Sequence, residues 1–182
     1  MFAFLFSVAV VVGVHYTFAS TSYPDENPAL QEYQNEAAAF PLEEQWYMMY
    51  RNYESDPFFG DKAKCVSITE TKPGENGAYP VVLRYNPDVS IDLTATFSSS
   101  PGYTVKNIVI HHNQDQNVTI ASRTAYKDVK KCDVLRMPQA GGACVLLVPK
   151  SQLGSVDKCC DFIFDLLCGA TPKFNIYDSS CS

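Results

Sequence analysis

The stretch YRNYESDPFFGDKAKC, residues 50–65, places one acid, Asp56, among several aromatic side chains and an arginine. A carboxylate beside aromatic faces suits a buried cation, because charge and ring quadrupoles together offset the hydration that the cation loses. An arginine suits an anion instead, since its guanidinium forms paired hydrogen bonds with a carboxylate. Tyr53 and Phe59 supply rings, and Arg51 supplies the guanidinium. This corner therefore predicts a binding site for a small charged molecule.

The same residues also have structural interpretations. Arg51 would hold the end of a strand if it pairs with Glu54 or Asp56, or a bulge would turn it to solvent. The neighbouring rings would plug one end of a β-barrel, since aromatic stripes on strands usually belong to the core. Asp56 precedes a proline and is therefore a natural turn starter. The sequence alone leaves both the binding and the structural interpretation open.

The rest of the chain offers no catalytic or metal-binding pattern. It contains no Gly-x-Ser-x-Gly, no CxxC pair and no linked Cys and His spacing. His111 and His112 are neighbours on a predicted strand, so their side chains should face opposite ways. The net charge of -6 comes without a basic run, which argues against nucleic acid or an anionic membrane as partner. We expect no catalysis, no cofactor and no metal.

Residues 1–19 predict a secretory signal peptide. They are apolar and uncharged, and small residues precede a cleavage site at Ser20. A membrane anchor is the alternative, but the unbroken apolar run stops at His15, short of the roughly 18 residues that a span needs. We therefore expect a single secreted domain over residues 20–182, in a compartment that oxidises its cysteines.

The elements that must position the corner are predicted to be β-strands. From Trp46 onward, runs rich in Tyr, Val, Ile and Thr recur between clusters of Gly, Pro, Asn and Asp. Eight consecutive strands suit an up-and-down barrel that encloses one small ligand, and a β-sandwich is the alternative. The predicted strands cover residues 45–53, 63–71, 79–85, 89–97, 103–111, 117–126, 131–137 and 143–149.

Two helices should flank these strands. Residues 27–40 show helical spacing of apolar side chains, with Asn27 as the cap. Residues 155–169 show the same spacing, with Ser155 as cap and Gly169 as stop. The face that should pack on the barrel wall carries Cys160, Phe164, Leu167 and Cys168.

Four segments together resemble the tick salivary lipocalins, the group that includes the histamine-binding proteins. They are YESDPFFGDKAKCV (53–66), CDVLRMP (132–138), CDFIFDLLCG (160–169) and YDSSC (177–181). The Gly-x-Trp signature of ordinary lipocalins is absent here, as it often is in the tick members. The resemblance covers most of the chain after the leader. It implies an eight-stranded antiparallel up-and-down lipocalin barrel, mainly β, with a short N-terminal helix and a C-terminal helix tied to the barrel by disulfides.

The resemblance also implies two of the disulfides. These are Cys65 with Cys181 and Cys132 with Cys160. A third bridge would join Cys144 to Cys168, since one lies in the last strand and the other shares a helix face with Cys160. Cys159 would then be unpaired, although adjacent cysteines could exchange partners and give Cys159 to Cys132. We expect a monomer, with a dimer open through a free Cys159.

The family captures small host mediators, such as biogenic amines, eicosanoids and other lipids, inside the barrel without doing chemistry on them. Aligned through YESDPFFG, this chain keeps an aromatic residue at Tyr53 and an acid at Asp56. Phe59 stands where the amine binders use tryptophan. The resemblance thus implies that these three residues contact the ligand.

The partner acids of the amine binders are mostly missing. The matching positions fall at or beside Thr96 and at Ser122, and Ile120 stands where the family has an aromatic residue. Of a second amine pocket Asp133 remains, but Val145 replaces its partner acid. One acid in each pocket is few for binding an amine.

An inward arginine would suit a different ligand. If Tyr53 faces the cavity, period-two alternation puts Arg51, Met49 and Tyr47 on the same face. A fatty-acid-like mediator would then place its carboxylate on Arg51 and its tail in the apolar body. The walls would include Met49, Ile120, Leu135 and Met137. We therefore expect a hydrophobic or acidic lipid mediator, with histamine or serotonin as the alternative.

Loops offer a third possibility, because relatives in this family bind host immune or clotting proteins through them. The loops over residues 72–77, 97–102 and 111–117 are long enough to carry such a surface. Asn117 begins the only N-glycosylation sequon, NVT, and so is a candidate attachment site.

Overall fold

The computed structural model of the protein describes residues 23–86, 88–170 and 172–181; the predicted signal peptide and its cleavage site lie outside them. Strands β1 to β8 follow one another around a closed antiparallel barrel, because β1 pairs with β2 as well as with β8. The short β9 adds to the edge of β1. The predicted barrel is confirmed. The strands are β1 (Trp46–Arg51), β2 (Ser67–Glu70), β3 (Tyr79–Tyr85), β4 (Val89–Ser98), β5 (Ile108–Asn113), β6 (Val118–Asp128), β7 (Cys132–Met137), β8 (Ala143–Pro149) and β9 (Phe174–Asn175).

Two strands begin later than predicted, at Ser67 and Ile108, because the residues before them bond elsewhere. Cys65 has a positive φ of 59° and donates its N–H to the carbonyl of Ile176 in the C-terminal tail. Asn107 is fully buried, and its side chain bonds to the N–H and hydroxyl of Ser100. Because of these contacts, the residues before Ser67 and Ile108 form loops, although their alternating pattern predicted strands.

The predicted short N-terminal helix is present, with Asn27 as its cap, but residues 27–40 form two short 3-10 helices rather than one continuous helix. Residues 24–39 bury the polar side chains of Asp25 and Glu36, which need fixed partners on the barrel. Leu30 and Tyr33, the residues that suggested an apolar helix face, remain 40% and 50% exposed. An α-helix here would therefore have no buried face to stabilise it. The chain forms three 3-10 turns instead, Pro24–Glu26, Pro28–Tyr33 and Glu36–Ala39.

The C-terminal helix is confirmed as α1 (Lys158–Cys168), which ends at Gly169 as predicted. Its cap is Asp157 rather than Ser155, because the Asp157 carboxylate accepts the N–H of Cys159 at 2.8 Å. Cys159 is free and exposed. Three disulfides have the pairings expected from the sequence: Cys65–Cys181, Cys132–Cys160 and Cys144–Cys168.

The core has two layers. One fills the barrel interior around Met48 and Leu135, and the other packs Phe164 of α1 against the outer face of the wall. Asn117 lies exposed in the turn between β5 and β6, and its glycosylation stays a prediction. In the parts of the chain that the structure describes, no helix is both long and apolar enough to cross a membrane.

Candidate ligand-binding site

The barrel interior contains a cavity of about 50 Å³. A cavity of this size favours a compact ligand over a long acyl chain. Most of its wall is apolar, as in other small-molecule sites. The apolar lining includes Phe40, Leu42, Trp46, Met48, Phe59, Leu83, Val109, Leu135, Met137, Val145 and Leu147.

A group of polar side chains interrupts this apolar wall. His111 Nδ1, Ser122 Oγ and Asp133 Oδ1 are buried and have no hydrogen-bond partner among the described residues. All three residues line the same cavity. Buried polar atoms in proteins are nearly always paired, so three without partners around one space indicate a place for a molecule with complementary groups. Within the described residues, no three His, Cys, Asp or Glu side chains could hold a metal ion.

An ion triad forms one side of the cavity. The ammonium of Lys127 in β6 lies 3.1 Å from Glu36 Oε1 and 2.9 Å from Asp133 Oδ2. Its nitrogen also lies 4.3 Å from the centre of the Trp46 ring. Thr124 donates its hydroxyl to the other oxygen of Glu36. The N-terminal segment thus supplies one of the two acids of the cavity.

The triad brings the titration of Asp133 close to neutral pH. Burial, followed by the negative charge of Glu36, raises the pKa of Asp133 to about 8, although Lys127 opposes the shift. The carboxyl therefore holds a proton much of the time at pH 7. A cation placed beside it would favour the ionised form and release that proton.

His111 is neutral at physiological pH. Complete burial lowers its pKa to about 4, and the nearby Glu36 opposes this only weakly. Its ring meets that of Phe59 edge to face, with centroids 6.0 Å apart. A neutral imidazole both accepts and donates a hydrogen bond, so this residue can meet a polar ligand group without adding charge.

Acid should destabilise the protein through His111. The unfolded chain takes up a proton on this residue below about pH 6.5, whereas the folded protein does so only below about pH 4. The unfolded state binds more protons between these values, so stability falls as the pH falls, by about 3 kcal/mol in total. Urea unfolding at a series of pH values should show that His111→Gln removes most of this loss. His112→Gln is the control, since His112 faces outward and contacts Thr119. An equal acid-induced loss in His111→Gln would contradict the assignment.

The structure brings some of the predicted ligand residues to the cavity. Phe59, Ser122, Asp133 and Leu135 line it. Ile120 packs against the interior cluster beside them. Their contact with a ligand remains a prediction.

Thr96 does not face the cavity. Its neighbours Ala95 and Phe97 both pack in the interior, so alternation turns Thr96 to the outside of β4. The sequence predicted an inward-facing position of β4 at or beside Thr96. In the structure the inward-facing residues are its neighbours, Ala95 and Phe97.

The corner around Asp56 is a structural loop beside the barrel. Arg51 is fully buried and donates to the carbonyls of Tyr53, Glu54 and Asp61, while its Nη1 has no partner among the described residues. Asp56 accepts the hydroxyl of Tyr53 and two loop N–H groups. Neither Arg51, Tyr53 nor Asp56 is among the residues that line the cavity. The inward arginine expected from strand alternation is therefore not found.

Arg51 is withheld from the cavity by its bonds to the loop carbonyls, whereas a bulge in β1 changes which of the earlier residues face inward. The register with β8 shifts between Met48 and Tyr50, so alternation counted back from Tyr53 gives the wrong face for Met49 and Tyr47. Trp46 and Met48 line the cavity in place of Tyr47 and Met49.

Other contributors to the cavity were not predicted from the sequence as ligand residues. Lys127 follows a second bulge, in β6, and Glu36 comes from the N-terminal turns. His111 was predicted only to face away from His112, and it does.

The sequence and the fold of this chain are similar to those of known proteins. A family model described as tick histamine binding protein matches residues 24–182. The AM182 serotonin complex is 16% identical, with a TM-score of 0.58 over 80% of this chain and 90% of that chain. Japanin from Rhipicephalus appendiculatus bound to cholesterol is 13% identical, with a TM-score of 0.55 over 76% of this chain and 95% of that chain. A comparison with curated proteins found no match.

Proposed function

The chain belongs to the tick histamine-binding protein family, and on that basis we propose that it captures a small host mediator of the biogenic-amine type inside its barrel. The observation that carries this proposal is the set of unpartnered atoms on His111, Ser122 and Asp133 in an otherwise apolar cavity. An amine with an aromatic ring has an ammonium for Asp133 and a ring N–H for a second acceptor. The serotonin bound by the neighbour AM182 is such a molecule.

The charges of the cavity favour an amine over an acidic lipid. Glu36 and Asp133 face a single base, Lys127, so the wall carries no surplus positive charge. A ligand carboxylate would meet the charge of Glu36 and would oppose the ionisation of Asp133, and like charges at such a site cost several kcal/mol. The acidic-lipid prediction depended on an inward Arg51, whose donors bond to loop carbonyls instead.

A neutral hydrophobic ligand with a hydroxyl group is the second candidate. The apolar wall supports it, as does the cholesterol bound by the neighbour japanin. A hydroxyl would bond to Ser122 or His111 without any change of charge. The walls would have to move apart for a molecule of sterol size.

We further propose that the protein is secreted in saliva, where binding a host mediator would suppress inflammation or haemostasis without catalysis. Its three disulfides support an oxidising compartment. A host protein partner at the loops and a dimer through the exposed Cys159 stay predictions.

Isothermal titration calorimetry with histamine tests the proposal through Asp133. We expect Asp133→Asn to weaken binding at least tenfold, because a hydrogen bond to a charged group is worth about 1.5–3 kcal/mol. Because the pKa of Asp133 is raised, binding to the wild-type protein should release protons at pH 7, and affinity should rise with pH as Asp133 ionises beside Glu36 and Lys127. His111, on the same cavity wall, stays neutral at pH 7.

The matched control is Asp92→Asn, since Asp92 lies exposed on β4. It should bind histamine with wild-type affinity and the same proton release. Unchanged affinity in Asp133→Asn, or binding without proton release, would contradict the assignment of Asp133.

A further inference from the structure

The ammonium of Lys127 occupies surroundings suited to a ligand. Two carboxylates lie within 3.1 Å of its nitrogen, and the face of Trp46 lies 4.3 Å from it. The side chain is only 4% exposed. Acids and an aromatic face are what a buried ammonium needs, whatever molecule carries it. These residues thus form a binding site for an ammonium group, and the side chain of Lys127 occupies it. We call the site formed by Glu36, Asp133 and Trp46 the ammonium seat.

A β-bulge directs Lys127 into this seat. Ser122 and Thr124 are buried on the inner face of β6, and strict alternation would send Tyr126 inward after them. The register with β7 shifts between Thr124 and Tyr126 instead. Tyr126 therefore stacks on Tyr33 of the N-terminal segment, and Lys127 points into the cavity. Bulges that re-aim a side chain are frequent beside functional sites.

Lys127 is only one of several contacts that attach the N-terminal segment to the barrel. The Thr124 hydroxyl holds the Glu36 carboxylate at 2.9 Å, and the Glu36 N–H donates to the carbonyl of Lys106 at 2.8 Å. Asp25 anchors the same segment through Arg136. A buried lysine is also costly, since taking its charge out of water carries a penalty of several kcal/mol. Fixing this segment therefore does not by itself require a buried lysine at this position.

We propose that Lys127 is a tethered cation that fills the ammonium seat and thereby determines which ligands the cavity accepts. Its charge neutralises one of the two acids and leaves Asp133 Oδ1 as the only unpartnered carboxylate oxygen of the seat. This limits the preference of the cavity for an amine over the corresponding alcohol. The part of the inference that concerns ligand choice rests on the proposed function, whereas the seat itself does not.

Chemical rescue tests the seat. Lys127→Ala deletes a fragment equivalent to n-propylammonium and leaves two buried acids without their base. We expect 50 mM n-propylammonium to raise the melting temperature of the variant, or its refolding yield, far more than n-propanol does. The wild-type protein should not respond. Lys131→Ala is the matched control, because Lys131 pairs with Asp157 at the surface, and it should show no rescue.

The rescue experiment tests the seat whether or not Lys127→Ala folds without added ligand. If the variant folds, an equal shift with n-propanol and n-propylammonium would overturn the seat. If it fails to fold, failure of n-propylammonium to restore refolding would overturn it as well.

Ligand choice is tested with tryptamine and tryptophol, which share an indole ring and differ in carrying an ammonium or a hydroxyl. Lys127→Met keeps an unbranched apolar side chain but removes the charge. Calorimetry should show that the ratio of tryptamine to tryptophol affinity rises at least tenfold over that of the wild-type protein. An unchanged ratio would overturn the role of Lys127 in ligand choice. If the wild-type protein and Lys127→Met bind neither compound while rescue succeeds, the role in ligand choice fails but the seat stands, and the proposed function is decided separately by histamine binding.

Discussion

Removal of the Cys65–Cys181 disulfide by a double change to alanine should lower the free energy of unfolding by about 5 kcal/mol. The bridge joins residues 116 positions apart, so it removes more freedom from the unfolded chain than the other two bridges, which span 28 and 24. It also fixes the tail that places β9 on the edge of β1. Guanidinium unfolding of the oxidised proteins measures the loss.

The free cysteine provides the control for this experiment. Cys159 is exposed and unpaired, so Cys159→Ala should change stability by less than about 0.5 kcal/mol. A loss below about 2 kcal/mol in the Cys65 and Cys181 double variant would mean that the tail unfolds separately from the barrel.

Asp25→Ala should destabilise the protein by about 3–5 kcal/mol, because it leaves the buried guanidinium of Arg136 without its carboxylate. Asp25 is fully buried, and Arg136 binds both of its oxygens at 2.6–3.0 Å. Arg136 also donates to the carbonyls of Gly142 and Leu167, so this pair joins the N-terminal segment to β7 and α1. Thermal and urea unfolding report the loss.

Glu26→Ala is the adjacent control. Glu26 pairs with Arg123 at a partly exposed position, where removing an ion pair costs at most about 1 kcal/mol. Similar losses in the two variants would contradict the assignment of Asp25 as the anchor of the N-terminal segment.

The fold was predictable because its signals are local. Runs rich in Tyr, Val, Ile and Thr between clusters of turn residues mark the strands of the barrel, and the spacing of Cys160 and Phe164 marks the packed face of α1. The N-terminal turns were not predictable, because they are held by Asp25 and Glu36 through partners about a hundred residues away. No local pattern encodes such contacts.

The candidate site was only partly predictable, because the inward and outward alternation of side chains shifts by one residue at two bulges. Met48 and Lys127 reach the cavity only because the register shifts in β1 and in β6. Asp133, by contrast, lies in the regular strand β7, where a motif shared with the family marks its position. The acid that faces it, Glu36, begins a short 3-10 turn of the N-terminal segment, where no local pattern marks it as inward-facing.

Trp46 provides the most direct test of the central claim, that the cavity binds an amine. It is the only tryptophan in the sequence, is 4% exposed and lines the cavity, so its fluorescence reports on this site alone. We expect histamine to produce a saturable change with one molecule bound per chain, and arachidonic acid to produce none. A saturable change with arachidonic acid and no response to histamine would contradict the account and restore the acidic-lipid interpretation.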